Sequence, residues 1–502
     1  MNTKINNYLD NIFIETDPNI KLDNLQKKAV ICDKNNQLIV AGAGSGKTTV
    51  IAAKIKYLVE IKNINPQNIL VISFTNKAIL ELKERINKEL NINCLICTFH
   101  KFGLNIIKDY NEEEIKICSN SNEIIKNIIL NNDDILLKKF YCNYYGIKGI
   151  KGFIHCFMSF KRTINKEKYS VFADFCADLV MKYKTDEIKE QKTALYKTIK
   201  YISEEYNKYL SENNMIDFAD MIKKASDYID KAEEFEYKYI IIDEYQDISK
   251  DRFKLIKKIS NKFETKIIAV GDDWQSIYSF SGSEISLFTD FINIYENAEL
   301  LKINNTYRNS QELIDVAGAF IMKNEKQIKK QLLSNKKLTN PIEIIKYRES
   351  VKINKLRYVI DVIINEFPGK NILILGRYKF DIKPFIDNNL FIQKNEKIKY
   401  RNSDVDITYM TVHASKGLGY DNVILINCKR GIYGFPSEKQ NHKILKSLIP
   451  QNSNFQFEEE RRLFYVALTR TKNKVFLLTP INKGSVFVDE IIEIIENNQT
   501  RK

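Results

Sequence analysis

Residues 41–49 combine glycines with a lysine and threonines in a pattern suited to binding phosphate. An apolar run at 38–41 leads into this segment and an amphipathic stretch follows it, so the order is strand, glycine loop, helix. Glycines let successive backbone N–H groups turn toward an anion, and a helix N-terminus attracts negative charge. The pattern predicts a P-loop that binds a nucleoside triphosphate. Its residues are Ala41, Gly42, Ala43, Gly44, Ser45, Gly46, Lys47, Thr48 and Thr49, of which Lys47 can reach the β- and γ-phosphates and Thr48 can ligate Mg²⁺.

Two acids follow another apolar run, at 239–242. Asp243 is suited to hold Mg²⁺, because this ion prefers oxygen ligands and keeps several of its waters, so that one carboxylate is sufficient. Glu244 can activate an attacking water as a general base. Strand ends commonly carry acids, so this pair indicates a hydrolytic site only in combination with the P-loop.

Two arginines could neutralise the charge that develops during phosphoryl transfer. Arg308 follows an apolar run at 299–303, and Arg470 ends a helical stretch that starts at residue 458. Each of them, taken alone, is more commonly a solvated surface side chain. Together they predict a bipartite site that a second domain closes.

Four aromatic side chains follow predicted strands, and they could stack on unpaired bases. They are Phe74, Phe99, Tyr278 and Phe280. In a chain with 28 Phe and 27 Tyr, any one of them is more simply explained as part of a core. Their gathering in loops expected at one sheet edge favours a track for single-stranded nucleic acid.

The chain of 502 residues has a formal net charge of +14, which suits a polyanionic partner. A composition rich in Lys, Asn and Ile could also arise from AT-rich coding, so charge alone leaves the partner open. The eight cysteines lack the spacing of a disulfide framework, and Cys94 and Cys97 are interpreted as small residues of a strand. No N-terminal signal and no apolar run of about 18 residues is present, so we expect a cytoplasmic protein without a membrane partner.

Alternating strand and helix patterns predict an α/β fold with parallel sheets. Residues 1–104 and 208–293 are predicted to form one domain, and residues 294–502 a second domain that the strand at 299–303 opens. Between the two parts of the first domain, residues 105–207 read as a helical insertion. Only the first domain carries a glycine–lysine loop, so we expect one nucleotide site.

Ten short segments, in order, resemble the motifs of the UvrD/Rep/PcrA group of superfamily 1 DNA helicases. Trp274 and residues 434–436 resemble its helicase IV branch most closely. The matching segments are 25–26, 41–48, 74–78, 98–100, 216–220, 243–247, 271–278, 306–308, 411–418 and 460–470.

This resemblance implies two RecA-like domains that use ATP and Mg²⁺ to move 3′ to 5′ along single-stranded or partly duplex DNA. It implies that Gln26 reads the adenine, that Tyr307 stacks near it, and that Gln275 senses the γ-phosphate. The implied catalytic set is Lys47, Glu244, Gln275, Arg308 and Arg470. The implied DNA-binding residues are Phe74, Thr75, Asn76, Thr98, His100, Tyr278, Phe280, Thr411 and His413.

The chain departs from the family pattern in three places. Gly419 stands where the family has a glutamate thought to hold the ribose, and Phe280-Ser281 stand where many members have Trp and Arg. Only 102 residues, 309–410, separate Arg308 from Thr411, which leaves no room for the large insertion of the second domain, the 2B domain. We therefore expect that 2B is absent.

Two functions stay open at this point. The first is an ATP-dependent 3′-to-5′ helicase and single-strand translocase acting in DNA repair, replication or phage defence. The alternative is a regulatory, DNA-sensing ATPase subunit that signals to a partner nuclease of the OLD family, as in Gabija-type antiphage systems.

Overall fold

The computed structural model describes residues 3–110, 115–131, 137, 140–141, 166–183, 194–367, 370–394, 396–400, 405–439 and 455–500. The strands in these ranges are β1 Asn36–Ala41, β2 Ile69–Ser73, β3 Leu95–Thr98, β4 Lys116–Ile117, β5 Met215–Ile216, β6 Tyr239–Ile242, β7 Lys266–Gly271, β8 Glu299–Ile303, β9 Ile342–Tyr347, β10 Ile372–Gly376, β11 Ile392–Lys394, β12 Lys397–Lys399, β13 Ile407–Thr411, β14 Asn422–Leu425 and β15 Val475–Pro480.

The α-helices in the same ranges are α1 Thr3–Asp10, α2 Asn24–Ile31, α3 Lys47–Glu60, α4 Asn76–Lys83, α5 Phe99–Tyr110, α6 Ser121–Asn131, α7 Lys166–Tyr183, α8 Ala194–Glu212, α9 Phe218–Lys231, α10 Lys250–Phe263, α11 Ser286–Thr289, α12 Phe291–Ile294, α13 Gln311–Ile321, α14 Lys352–Glu366, α15 Lys383–Asp387, α16 Glu458–Leu468 and α17 Val486–Thr500.

The first sheet has six strands in the order β3-β2-β6-β7-β1-β8, and every neighbouring pair is parallel. Its central strands are buried on both faces, where side chains pack into two separate apolar clusters. This double burial explains why these strands read as continuous apolar runs in the sequence. The predicted parallel α/β fold is confirmed, and the carboxyl ends of β1, β6, β7 and β8 meet along one edge.

The strand predicted to open the second domain lies in the first sheet instead. β8 pairs in parallel with β1, so that Leu38 lies opposite Leu300 and Ala41 opposite Ile303. The prediction was wrong because an apolar run marks a strand without showing which strand it pairs with. As a consequence Arg308, expected to come from the second domain, follows the edge strand of the first sheet.

The second sheet has the strand order β11-β12-β13-β10-β14-β15-β9. The predicted strands at 371–375, 407–411, 422–426 and 474–478 correspond to β10, β13, β14 and β15, and these pair in parallel. Strand β9, which pairs with β15, and the antiparallel hairpin β11–β12 at the opposite edge were not predicted. This hairpin lies in the interval between α15 and β13.

Helices α6, α7 and α8 form a separate apolar cluster around residues such as Ile125, Phe172 and Tyr206. The chain enters and leaves this region side by side, because β4 pairs with β5. The predicted helical insertion at 105–207 falls partly on residues outside the described ranges, so its boundaries stay a prediction.

Six cysteines lie in the described ranges and all six are free thiols, whereas Cys142 and Cys156 fall outside these ranges. Cys97 lies within β3 and Cys94 just before it, and burial raises the pKa of both thiols. The two residues therefore pack as small apolar side chains at the sheet. Among the described helices, none has both the length and the apolar content needed to cross a bilayer.

A buried ion cluster fixes the loop that follows β7. The ammonium group of Lys330 contacts Asp272 and lies 2.6 Å from Oδ1 of Asp273, and all three side chains are buried. The Ile328 N–H donates to Oδ2 of Asp273 over 2.7 Å, and the Trp274 indole donates to the Ile328 carbonyl over 3.1 Å. Two buried carboxylates are tolerable here because Lys330, the Ile328 N–H and the Trp274 backbone N–H, which donates to Asp272 over 3.2 Å, compensate their lost hydration.

Replacing Lys330 with methionine should destabilise the fold strongly, because Asp272 and Asp273 would stay buried without their cation. We expect the free energy of unfolding to fall by about 3–5 kcal/mol. Urea unfolding measures this change, followed by circular dichroism and by the fluorescence of Trp274, the only tryptophan in the chain.

The matched control is Lys329→Met, because Lys329 is the exposed neighbour in the sequence. This variant should stay within about 0.5 kcal/mol of the wild type. Equal unfolding midpoints for Lys330→Met and the wild type would contradict the role given to the ion cluster.

Candidate functional site

The glycine loop after β1 closes tightly before α3. Gly44 and Gly46 have φ angles of +72° and +79°, in the left-handed region that favours glycine, and Gly46 is the N-cap of α3. The Ser45 hydroxyl donates to the Gly42 carbonyl over 2.8 Å. Lys47 and Thr48 are the first two residues of α3, so both lie beside the positive helix N-terminus.

The segment after β8 packs directly on this loop. The Thr306 hydroxyl donates to the Ala43 carbonyl over 2.7 Å, and the Tyr307 N–H donates to the Gly44 carbonyl over 2.9 Å. A Cβ atom on Gly44 would lie 2.5 Å from Cβ of Arg308. Glycine at 44 is therefore required by this close approach as well as by its φ angle.

Asp23 brings the two predicted adenine contacts together. Its Oδ1 accepts from the Gln26 N–H over 2.9 Å in a capping box at the start of α2, and its Oδ2 accepts from the Tyr307 hydroxyl over 3.0 Å. The Gln26 amide in turn donates to the Ser45 carbonyl over 3.0 Å. The Tyr307 side chain is 60% exposed and available for stacking. Sequence reasoning assigned Gln26 and Tyr307 but missed Asp23.

The two acids after β6 differ in their surroundings. Asp243 is buried, its Oδ1 accepts from the Glu244 N–H over 2.9 Å, and the Ser73 hydroxyl is 3.4 Å from Oδ2. Glu244 has a φ of +53°, and its Oε1 lies 3.9 Å from Nζ of Lys47. This left-handed φ turns the chain from β6 into the short helical turn at 245–247.

Burial raises the pKa of Asp243, and the adjacent Glu244 carboxylate raises it further. Burial would also raise the pKa of Glu244, but Lys47, Lys416 and a hydrogen bond from Gln246 outweigh it and hold this pKa low. Glu244 is therefore ionised, whereas Asp243 is a buried carboxyl that a divalent cation would stabilise in its ionised form. This donor set fits Mg²⁺, which binds one or two carboxylates together with phosphate oxygens.

Gln275 and Arg470 meet across the two sheets. One guanidinium nitrogen of Arg470 donates to the Gln275 side-chain oxygen over 2.9 Å, and the Gln275 amide donates to Asp272 over 2.6 Å. Burial lowers the pKa of Arg470 to about 9, and the positive charge of Arg308 lowers it in the same direction. Two arginines thus lie close together in a buried setting that favours an anion between them.

Gly419 lies beside Arg308, where a Cβ atom would be 3.1 Å from the Nε atom of that arginine. A guanidinium nitrogen of Arg308 also lies 3.5 Å from the Thr469 carbonyl. The glycine leaves the guanidinium without the neighbouring carboxylate that the family pattern would place here.

Lys416 is a site residue that sequence reasoning did not assign. Its buried ammonium group contacts Asp247 and lies 3.7 Å from Oε2 of Glu244, so it joins the second sheet to the acids of the first. The same nitrogen lies 5.0 Å from the ring centroid of Tyr278. A signal was present, because this lysine belongs to the segment 411–418 that resembles a family motif.

Three predicted DNA-binding residues form one cluster at the junction of the sheets. The ring centroids of Tyr278 and Phe280 are 5.9 Å apart, and those of Phe280 and His413 are 5.5 Å apart. Phe280 is 58% exposed, and the Tyr278 hydroxyl donates to the His413 carbonyl over 3.3 Å. Thr411, which ends β13, lies two residues before His413. We call Tyr278, Phe280 and His413 the junction cluster.

The other predicted DNA-binding residues lie at the ends of β2 and β3, which are adjacent strands. Phe74 packs against Phe99, with ring centroids 5.3 Å apart, and Arg252 lies 5.2 Å from the Phe74 centroid. Thr75 and Thr98 accept backbone N–H groups at the starts of α4 and α5, and Asn76 is exposed. His100 packs edge-on against Phe218. These residues share one edge, but Phe74 is already partly covered by Arg252.

Both histidines of the predicted track should stay neutral far below pH 6.5. Burial lowers the pKa of His100 and of His413 to about 4, with help from Arg252 in the first case and from Arg377 and Lys416 in the second. Since the unfolded chain binds more protons between pH 4 and 6.5, the contribution of these histidines to stability is complete above pH 6.5 and is lost as the pH falls toward 4. NMR titration of the imidazole Hε1 signals should give midpoints near pH 4.

The unfolded chain in urea supplies the reference for this titration, with midpoints near 6.5. A His413→Gln variant assigns one signal. A folded-state midpoint of 6.5 or higher would contradict the burial of the rings.

Comparison with known proteins identifies the family of this chain. The family of the UvrD/REP helicase N-terminal domain matches residues 22–296, more than half of the chain, and that of the UvrD-like helicase C-terminal domain matches residues 382–480. Over 97% of its length the chain is 29% identical to DNA helicase IV of Escherichia coli (strain K12), of which it spans 72%.

Two further relatives extend the comparison. The chain is 30% identical to the ATP-dependent DNA helicase Rep of Buchnera aphidicola subsp. Acyrthosiphon pisum (strain APS), over 75% of this chain and 58% of that protein. It is 26% identical to a probable DNA helicase of Mycoplasma pneumoniae (strain ATCC 29342 / M129 / Subtype 1), over 91% and 83% respectively. The N-terminal match covers five of the six strands of the first sheet, and the C-terminal match covers β11 to β15 of the second. The chain therefore belongs to the UvrD/Rep family of helicase enzymes.

Proposed function

We propose that this chain hydrolyses ATP to move 3′ to 5′ along single-stranded DNA and to separate partly duplex DNA. The hydrogen bond from Arg470 to Gln275 is the observation that carries this proposal. This hydrogen bond joins the second sheet to Gln275, which lies at the nucleotide site of the first sheet. Gln275 lies three residues before the aromatic loop at 278–280. One short segment, 272–280, thus contains both Gln275 of the nucleotide site and two residues of the junction cluster, Tyr278 and Phe280.

ATP would bind on the loop at 41–49, with its adenine between Gln26 and Tyr307. Lys47 then binds the β- and γ-phosphates, and Glu244, ionised and 3.9 Å from Lys47, orients and deprotonates the attacking water. Thr48 and Asp243 would hold Mg²⁺, which would neutralise negative charge on the phosphates. Arg308 and Arg470 stabilise the negative charge of the transition state.

Loss of the γ-phosphate would leave the partly buried Arg308 and the buried Arg470 without the anion that favours their approach. Gln275 reports this change, because its amide is shared between Asp272 and Arg470. Repulsion between the two arginines would change the distance between the two sheets. This change then reaches Tyr278 and Phe280 through the short segment that joins them to Gln275. The junction cluster and the β2–β3 edge would bind the DNA strand in turn, and this alternation would convert hydrolysis into movement along the DNA.

Lys47→Ala and Glu244→Gln should each lower DNA-stimulated ATPase turnover at least about 100-fold. The first substitution removes the phosphate-binding charge, and the second removes the base with little change in shape. Steady-state phosphate release with excess single-stranded DNA measures the effect.

The matched control is Glu234→Gln, an exposed glutamate at the opposite edge of the sheet, before β6. It should keep wild-type turnover. Turnover near the wild-type level in Glu244→Gln would exclude Glu244 as the general base.

Strand separation should require a 3′ single-stranded tail. The measurement compares the ATP-dependent unwinding of otherwise identical duplexes that carry a 3′ tail, a 5′ tail or no tail. We expect product only from the 3′-tailed duplex. Unwinding from 5′ tails alone would reverse the assigned direction, and DNA-stimulated ATPase without unwinding of any duplex would favour the regulatory ATPase instead.

A further inference from the structure

Tyr465 carries a buried hydroxyl group that lacks a hydrogen-bond partner. The residue lies in the last turn of α16 and is 1% exposed, and no residue that the structure describes forms a hydrogen bond with its hydroxyl. Burial raises the pKa of this phenol well above its usual value, so the group is neutral. An unpaired buried hydroxyl is unfavourable, so the presence of tyrosine rather than phenylalanine here requires an explanation.

The side chain of Tyr465 lies at the junction of the two sheets. Its ring meets that of Trp274 edge-on, with centroids 5.4 Å apart and an angle of 89° between the rings. Trp274 directly precedes Gln275 in the chain. The Thr469 N–H donates to the Tyr465 carbonyl over 3.1 Å, and the Thr469 carbonyl lies 3.5 Å from a guanidinium nitrogen of Arg308. Tyr465 thus packs against the loop of Gln275, one helical turn before the residue that Arg308 contacts.

Arg308 is short of hydrogen-bond acceptors. A guanidinium group has five N–H donors, but among the described residues that of Arg308 makes a single long hydrogen bond, to the Thr469 carbonyl. Gly419 supplies no side-chain acceptor beside it. Burial lowers the pKa of Arg308, and Tyr465 opposes this effect more strongly than the carboxylate of Glu244 does, which places the phenol close to the guanidinium. An unpartnered acceptor therefore lies beside a cation that has donors to spare.

We propose that Tyr465 is a positioning residue for ATP hydrolysis, whose hydroxyl oxygen accepts a hydrogen bond from the Arg308 guanidinium when the γ-phosphate draws that arginine into the nucleotide site. This inference rests on the proposed function. The hydrogen bond would fix the plane of the guanidinium, so that its remaining N–H groups face the phosphate oxygens. An arginine held in this way stabilises the transition state better than a mobile one, because its orientation is set before the reaction.

This contact depends on the bound nucleotide. Without an anion Arg308 and Arg470 repel each other, as the effect of Arg308 on the pKa of Arg470 indicates, in addition to the larger effect of burial. A γ-phosphate offsets this repulsion, and the Tyr465 hydroxyl then gains the partner that it lacks. Because the orientation of Arg308 matters most while charge shifts on the phosphate, Tyr465 should act on kcat rather than on the binding of ATP.

The test uses Tyr465→Phe, which removes the hydroxyl and keeps the ring against Trp274. We expect kcat of DNA-stimulated ATP hydrolysis to fall about tenfold, while KM for ATP stays within about twofold of the wild-type value. The nucleotide-free variant should unfold in urea at the wild-type midpoint or above it, because it loses an unpaired buried hydroxyl. A purely structural role of the hydroxyl would not separate kcat from KM and stability in this way.

The matched control is Tyr347→Phe. Tyr347 ends β9, the edge strand of the second sheet, and is also 1% exposed, and its hydroxyl has no hydrogen-bond partner among the described residues. This variant should keep the kcat and KM of the wild type. A tenfold loss of kcat here as well would contradict a specific role of Tyr465.

A double-mutant cycle tests whether Tyr465 acts through Arg308. Arg308→Ala alone should lower kcat, and adding Tyr465→Phe should cause less than a twofold further loss, because the group to be positioned is absent. Phosphate release in a single turnover measures the slow variants.

Three further results would overturn the inference. One is a wild-type kcat for Tyr465→Phe. Another is the same tenfold loss from Tyr465→Phe in the wild-type and Arg308→Ala backgrounds, which would show that the hydroxyl acts independently of Arg308. The third is an unfolding midpoint of nucleotide-free Tyr465→Phe clearly below that of the wild type, which would show that the hydroxyl already has a structural partner. A wild type without DNA-stimulated ATPase activity would instead reject the proposed function.

Discussion

Compensation of buried charge between the two sheets is the constraint on which this structure depends. Two buried lysines near the junction have their partners on different segments of the chain. Lys330 compensates Asp272 and Asp273, and Lys416 compensates Asp247 and lies close to Glu244. An isolated buried charge would cost several kcal/mol, so the sheets can meet only in an arrangement that brings these partners together.

This arrangement makes the junction sensitive to a bound anion. Arg308 and Arg470 approach each other at this junction; burial lowers the pKa of both, and the positive charge of Arg308 lowers that of Arg470 further. A γ-phosphate would relieve their repulsion, and its loss would restore it. The same side chains that stabilise the closed junction are therefore suited to respond to the state of the nucleotide.

The junction cluster lies beside one end of helix α16. The Ser279 N–H, between Tyr278 and Phe280, donates to Glu459 at the start of this helix, while the other end of the helix leads into Arg470. Helix α16 thus connects the proposed phosphate contact with the proposed base-stacking surface. A rigid helix between two sites is a physical route for coupling them, because its displacement at one end moves the other.

The sequence by itself determined the local parts of this protein. The loop at 41–49 and the acids at 243–244 could be recognised because strand, loop and helix follow one another along the chain, and most of the strands could be located from their apolar runs. The structure places these residues at one sheet edge, while their roles stay predictions. Only the tertiary structure decided that β8 pairs with β1, that Lys416 reaches Glu244, and that Phe280 packs against His413. Such contacts join residues far apart in the chain, and they are selected by burial and charge compensation in three dimensions, which no local pattern encodes.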